Sequence, residues 1–385
     1  MYQVMEAAFW VSVLMMFYTY VGYPMFVYVV ARIIPKATAA GPFEPSVTVL
    51  ITAYNEERDI KEKIENTLLL EYPSDKLEVV VASDGSTDAT DEIVKKFKSR
   101  GVRLFRQEGR VGKTETQNNA VKQAKGEVIL FSDATTMYRS DVLRAIMPNF
   151  ADDRIGCVAG KLIYVDQVNS EVGAGAKSYW NYETFLKENE SKACSLIGVS
   201  GCMYAVRKSA YVPMYPEACS DFLICTVVYR QGLRSVFEPN AVCYEDINDR
   251  SDKEFQMRVR IISQTLTDLW RNRDMMNPFS NGLFALQLAS HKMARYAVPL
   301  FLVIVFGSAL YLAADSRFFQ LVLGTQTIFY LCAFLVWASR GKYGGAGVYA
   351  IPFYFVLGNL AIIRGVIKFL KGDRYQKWEP FRTSI

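Results

Sequence analysis

Three short polar groups stand where three apolar runs end: Tyr54-Asn55-Glu56, Ser83-Asp84-Gly85-Ser86 and Asp133-Ala134-Thr135. Each carries an acid. A carboxylate can accept hydrogen bonds, hold a divalent cation or take a proton from an attacking group. Lys113, in the run Gly109-Arg110-Val111-Gly112-Lys113-Thr114, adds a cation suited to anionic oxygens. Asp221 stands immediately before the apolar stretch FLICTVVYR. What these groups do together depends on the elements that bring them to one place.

The three runs are VTVLITA at 47–53, LEVVVA at 77–82 and EVILFS at 127–132. After the first, Ile60, Ile64 and Leu68 recur every four residues; after the second, Ile93, Val94 and Phe97 mark one helix face. After the third, another helix is predicted from about Ser140. Continuous β-rich runs alternating with amphipathic helices predict an α/β fold, a mostly parallel sheet with helices on both faces. Ligands of such sheets bind beyond the carboxyl ends of the strands, where the acids stand.

Two nucleotide-binding patterns fail. No GxGxxG follows the first strand, and a GxxxxGK[ST] loop would need glycine where Gln107 stands. The seven cysteines (157, 194, 202, 219, 225, 243 and 332) form no CxxC pair, and one histidine in the chain does not support a zinc site. Odd, scattered cysteines fit a reducing compartment.

The composition is 51% hydrophobic, 14% aromatic and 22% charged, with a mean hydropathy of +0.08. The apolar excess is concentrated. Segments 7–31, 296–314, 318–339 and 346–363 contain no Asp, Glu, Lys or Arg, and each is close to the roughly 17–25 residues that a bilayer core requires. Setting them aside leaves ordinary globular composition, enough for one large core. A purely soluble, disordered or disulfide-rich secreted chain is excluded, as is a transporter built mostly of membrane helices. The net charge of +5 has a local origin in the tail, where Arg364, Lys368, Lys371, Arg374, Lys377 and Arg382 face Asp373 and Glu379. Basic residues after an apolar segment point to a membrane surface and not to nucleic acid.

Arg32 and Lys36 follow the first apolar segment and only Glu6 precedes it, so the positive-inside rule puts the region 32–295 in the cytosol. Three full spans after an internal domain would carry the basic tail outside. A cytosolic tail therefore needs one segment that does not cross, and 346–363, with Pro352 and Asn359, is the weakest; the span count stays open. The stretch FSNGLFALQLAS at 279–290 is too short to span and reads as an interfacial helix, with His291 in an interfacial, structural position. The expected organisation is an N-terminal anchor at 1–31, a cytosolic domain at 32–278, an interfacial helix at 279–295, a membrane region at 296–363 and a basic tail at 364–385.

The motifs VTVLITAYNEE, SDGSTD at 83–88, Gly112-Lys113 with Asn118 downstream, GEVILFSDA at 126–134 and Ser220-Asp221 resemble, in that order, the family-2 glycosyltransferases. Membrane-embedded members of that family include the cellulose, chitin, hyaluronan and poly-N-acetylglucosamine synthases. The resemblance covers about residues 45–295. It implies a GT-A-like, Rossmann-related domain flanked by membrane helices. The implied reaction is inverting transfer of a sugar from a nucleotide-diphospho-sugar, of uridine type, to a lipid-linked or growing saccharide.

On that resemblance Asp84 accepts from the uracil N–H, Tyr54 and Glu56 neighbour the uridine, and Lys113 faces the diphosphate. Asp133 corresponds to the first acid of the DxD element, which holds Mg or Mn, and Thr135 stands in place of the second. Magnesium often uses one or two protein carboxylates, with phosphate and water completing its shell. Asp221 corresponds to the general base, a carboxylate in a closed cleft, although Ser220 replaces the acid that precedes it in the family. Ser200 and Gly201 match the strand start near the acceptor, and Trp180, with Tyr182 and Phe185, offers aromatic faces to a sugar. Arg260, in Met257-Arg258-Val259-Arg260-Ile261, is what remains of the QxxRW element, and its cation can stabilise the leaving diphosphate.

Plainer roles stand beside these: a turn cap for Asp84, a solvated helix-start lysine for Lys113, a helix N-cap for Asp221 and core packing for the aromatics. Two whole-chain alternatives also stand: a processive synthase that extrudes its polymer, and a catalytically silent donor-binding scaffold subunit. The expected surroundings are a nucleotide-sugar, a saccharide or lipid-linked acceptor and the lipid bilayer of a bacterial-type inner membrane. Polysaccharide-export partners or a second copy of the chain are further expected contacts.

Overall fold

Val47–Ala53 form β1, a strand buried along its whole length, as a central strand covered by helices on both faces must be. In the computed structural model residues 1–165, 171–246, 251–338 and 350–377 are described. The first part of the 346–363 segment and Glu379 and Arg382 of the tail lie outside them. Ahead of β1, α1 (Tyr2–Phe17) and α2 (Tyr23–Ile33) join through a π turn. Beyond it come α3 (Ile60–Leu68), β2 (Leu77–Ser83), α4 (Thr90–Lys96), β3 (Val102–Arg106), α5 (Lys113–Gln123), β4 (Val128–Asp133) and β5 (Met137–Tyr138). The domain continues through α6 (Val142–Ile146), β6 (Ile155–Val165), α7 (Glu171–Ala193), β7 (Met203–Arg207), α8 (Ser220–Arg230), β8 (Arg234–Asp246) and α9 (Ser251–Arg271). The last helices are α10 (Pro278–Gln287), α11 (Ala294–Leu312), α12 (Arg317–Ala338) and α13 (Ala350–Leu370).

The strands form one sheet in the order β3-β2-β1-β4-β7-β6-β8-β5. β1 runs parallel to β2 and β4, and β2 to β3, whereas β7 is antiparallel to both β4 and β6. The register sets Ala53 beside Ser83 and Thr52 beside Asp133. The polar groups that follow β1, β2 and β4 therefore emerge along one edge. Alternate side chains of each strand go to opposite faces. Val49, Ile51, Val81 and Leu130 pack toward Ile60, Ile64 and Leu143, while Leu50, Val80, Ile129 and Phe131 pack toward Val121, Leu223 and Ile224.

Four helical stretches among the described residues are long and apolar enough to cross a membrane: Tyr2–Ile33, Pro278–Leu312, Arg317–Ala338 and Ile351–Leu370. The 279–290 stretch lies in α10 and a π turn that continues into α11, with a break at Gly282, whose φ is 50°. Phe9 of α1 packs with Val305 and Phe319 of α11 and α12, and Val27 of α2 packs with Leu186 of α7. Ala361 and Ile362 of α13 pack with Val259, Ile262 and Leu266 of α9. The apolar helices are thus fastened directly to α7 and α9, two helices that border the sheet edge.

Candidate active site

Asp84 follows β2 and is fully buried. Its carboxylate accepts from the backbone N–H of Val111 (2.7 Å) and of Gly112 (3.0 Å), and from Thr116 Oγ1 (3.0 Å). It holds down the loop that starts α5, and it does not line the cavity described below. Gly85 allows that loop to settle: at φ 67° a Cβ there would lie 2.4 Å from the carbonyl oxygen of Gly109. Tyr54 also stands outside the cavity, with the Arg110 guanidinium 3.8 Å above its ring. Glu56 lines the cavity; its backbone N–H donates to Thr90 Oγ1 at 2.8 Å, tying the turn after β1 to α4.

The loop so anchored presents Lys113, the first residue of α5, to Asp133, the last residue of β4, and the two form an ion pair. Burial alone would lower the Lys113 ammonium, but the carboxylates of Asp133 and Asp221 outweigh it and hold its pKa above the ordinary lysine value. Asp221 lies in the first turn of α8, two residues beyond the cap position, which Cys219 occupies. Its Oδ1 accepts from Phe222 N and Cys219 Sγ, each at 3.0 Å. Gly201 lies against the other oxygen: a Cβ there would be 3.0 Å from Asp221 Oδ2 and 3.2 Å from Lys113 Nζ. A side chain there would press the Asp221 carboxylate and the Lys113 ammonium back by a few tenths of an ångström. Arg260, half-buried on α9, faces Asp221 and Asp133, and its pKa is lowered by burial.

Asp133, Lys113, Asp221, Arg260, Ser200 and Gly201 all line one cavity of about 1360 Å³. Trp180 joins them, its ring tilted against Tyr164 with centroids 5.3 Å apart. Tyr182 lines the cavity as well, whereas Phe185 stacks on Tyr28 of α2 and faces away from it.

Sequence reasoning gave no role to Glu245, which stands near the end of β8. Thr135 Oγ1 donates to its Oε1 at 3.2 Å, and burial together with Asp133 pushes its carboxyl up to about 7. The threonine in place of a second DxD acid thus turns toward a carboxylate from another strand. Two carboxylates and a hydroxyl form an all-oxygen donor set, the type hard dications take when phosphate and water complete the shell. Asp133 and Glu245 therefore fit a magnesium or manganese ion, although no group of three or more acidic, His or Cys ligands occurs among the described residues.

His291, Glu183, Glu190 and Arg295 were likewise missed as a group. His291 Nδ1 lies 2.7 Å from Glu190 Oε1 and Nε2 lies 3.2 Å from Glu183 Oε2, while Arg295 pairs with Glu183. Tyr23 of α2 donates to Glu190 Oε1 at 2.5 Å. This buried polar cluster joins the apolar helices to α7, so His291 sits in a structural network.

Asp268 of α9 steadies the approach to α8. Its buried carboxyl bonds Tyr215 OH and accepts from Cys219 N at 3.0 Å, and burial pushes it up to about 8. In the unfolded chain the same group ionises near 4. The folded protein therefore loses stability as pH rises from about 4 to 8, up to ~5 kcal/mol, and the loss is level above that. Asp268→Asn should melt close to the parent below pH 4 and above it at pH 9. Equal melting temperatures across that range would mean that this carboxyl ionises in place without cost.

Residues 48–212 match the family described as Glycosyl transferase family 2. The chain is 26% identical over 234 residues to the poly-beta-1,6-N-acetyl-D-glucosamine synthase of Staphylococcus aureus (strain COL), covering 59% of this chain and 52% of that one. It is 23% identical over 233 residues to the synthase of the same name from Staphylococcus epidermidis. The chain spans about half the length of these relatives, 52%. Among solved structures, a mannosyltransferase from Pyrobaculum calidifontis in complex with GDP-Man and Mn2+ superposes with a TM-score of 0.72 at 22% identity, covering 96% of this chain and all of that one. That likeness establishes a shared GT-A-like fold.

Proposed function

We propose that this chain, whose residues 48–212 match the Glycosyl transferase family 2 description, is a glycosyltransferase that transfers a sugar with inversion from a nucleotide-diphospho-sugar to a lipid-linked or growing saccharide. The observation that carries the reading is the meeting of Asp221 and Lys113 at Gly201, with Asp133 paired to the same lysine. In the reaction the acceptor hydroxyl attacks the anomeric carbon and gives its proton to Asp221, while the bond to the nucleoside diphosphate breaks. Lys113 and Arg260 stabilise the charge that develops on the departing diphosphate. A divalent cation bound by Asp133 and Glu245 would neutralise the same diphosphate oxygens. The uridine type of the donor follows the sequence resemblance, and the relatives' names make UDP-N-acetylglucosamine the first donor to try. Arg32, Lys36 and the basic tail support a cytosolic site at a bacterial-type inner membrane.

The test is release of free nucleoside diphosphate from a donor panel, with and without magnesium or manganese. One donor should turn over at a rate on the order of 1 s⁻¹ or more, and product lengths at early times separate single additions from processive growth. Donor binding with no release from any member of the panel would instead identify a silent donor-binding subunit.

A further inference from the structure

Ile60, Lys63, Ile64 and Thr67 form the buried face of α3. At that spacing a helix turns one stripe inward, and three of the four are ordinary occupants of it. The fourth ends in an ammonium group. Lys63 is fully buried, one of the largest side chains in the protein to be so. Withdrawing an ammonium from water costs several kcal/mol, and an aliphatic side chain would fill the same space without that penalty. Burial lowers the Lys63 pKa to about 7, although Cys243, Asp133, Cys202 and Glu245 act in the opposite direction. Packing alone therefore does not account for a lysine here.

What the ammonium touches is the segment that carries Asp133. Nζ donates to the backbone oxygen of Thr136 at 2.6 Å and lies 3.4 Å from the centroid of the Tyr138 ring, a cation over an aromatic face. An aliphatic side chain can make neither contact. One turn further along α3, Asn66 Nδ2 donates to the backbone oxygen of Tyr138 at 2.9 Å, and its Oδ1 accepts from Tyr138 N at 2.8 Å. The helix thus grips β5 and the turn before it, which begins at Asp133. Tyr138 OH in turn donates to the backbone oxygen of Cys202 at 3.1 Å. Cys202 follows Gly201, against which the Asp221 carboxylate lies. One buried ammonium bears on both sides of the site, the acid at the end of β4 and the strand start that faces the base.

We propose that Lys63 is a positioning residue for sugar transfer: its ammonium fixes the turn between Asp133 and Tyr138 and, through the Tyr138 ring, the strand start at Gly201 that faces Asp221. Lys63 does not line the cavity, so it acts only through the groups it holds. This deepens the transfer reading above and rests on it.

The test uses the full chain in phosphatidylcholine nanodiscs, with UDP-N-acetylglucosamine or the panel member that turns over as donor, and each variant is assayed well below its melting temperature. Lys63→Met keeps the length of the side chain and removes both contacts. Its kcat should fall ~10–100-fold, the scale of a misplacement of about 1 Å, with little change in the donor KM. Lys63→Gln, which keeps an N–H for Thr136, should recover part of the loss. Tyr138→Phe removes the bond to Cys202 and should lower kcat by itself. Joined to Lys63→Met it should lower kcat by less than the product of the two losses, because both act through one ring. Where Lys63→Met does not fold, Lys63→Gln takes its place in that cycle. A Lys63→Met variant with the parent's kcat, or losses that multiply in the double variant, would overturn the proposal. Nucleoside diphosphate release by the parent separates the two readings: turnover that these substitutions leave unchanged removes this inference alone, and no turnover removes the transfer reading beneath it.

Discussion

Asp221→Asn should abolish sugar transfer while the donor still binds. The substitution preserves shape and keeps an oxygen for Phe222 N and Cys219 Sγ, the two groups that orient this side chain. What it removes is the capacity of the oxygen facing Gly201 to take a proton. General base catalysis contributes about 10²–10⁴-fold, and a loss of that size in kcat is expected, with the donor Kd unchanged by calorimetry. A purified variant that turned over at the parent's rate would assign the proton to another group.

Lys113→Met carries the second large effect. In the parent this ammonium is paired with Asp133 and stabilised by Asp221. Its removal leaves those acids, with Glu245 beside them, facing a diphosphate without the nearest positive charge. Loss of one preorganised charge-stabilising donor costs about 10²–10³-fold, so kcat/KM should fall by that factor, and the donor Kd should weaken as well. Lys113→Arg should recover part of the loss, since it restores the charge with a different reach. A methionine variant with the parent's kcat/KM would assign the leaving group to other cations.

The strand-end acids were legible because an apolar run that stops on a polar group is a local signal. Val47–Ala53, Leu77–Ser83 and Val128–Asp133 agree with the runs read from sequence to within a residue. The four apolar stretches were legible for the same reason, since length and composition are local properties. The antiparallel β7 was not, because periodicity reports burial and carries no information on strand direction. Asp84 shows the limit more sharply. Its position at a strand end was visible, but its partners stand 27 and 28 residues onward in a loop that folds back over Gly85. Glu245 reaches Thr135 across 110 residues, and nothing in the local sequence announces that meeting.

Gly112 has a φ of 97°, and a Cβ on it would lie 2.0 Å from the backbone oxygen of Gln376. Gln264 of α9 donates to the backbone oxygen of Tyr375 at 2.9 Å, so the chain that leaves α13 is laid across the loop presenting Lys113. An affinity handle fused beyond Lys377 would therefore pull on the loop that presents Lys113 to the cavity. The same proximity makes position 377 a natural seat for a fluorescent reporter of what enters the cavity.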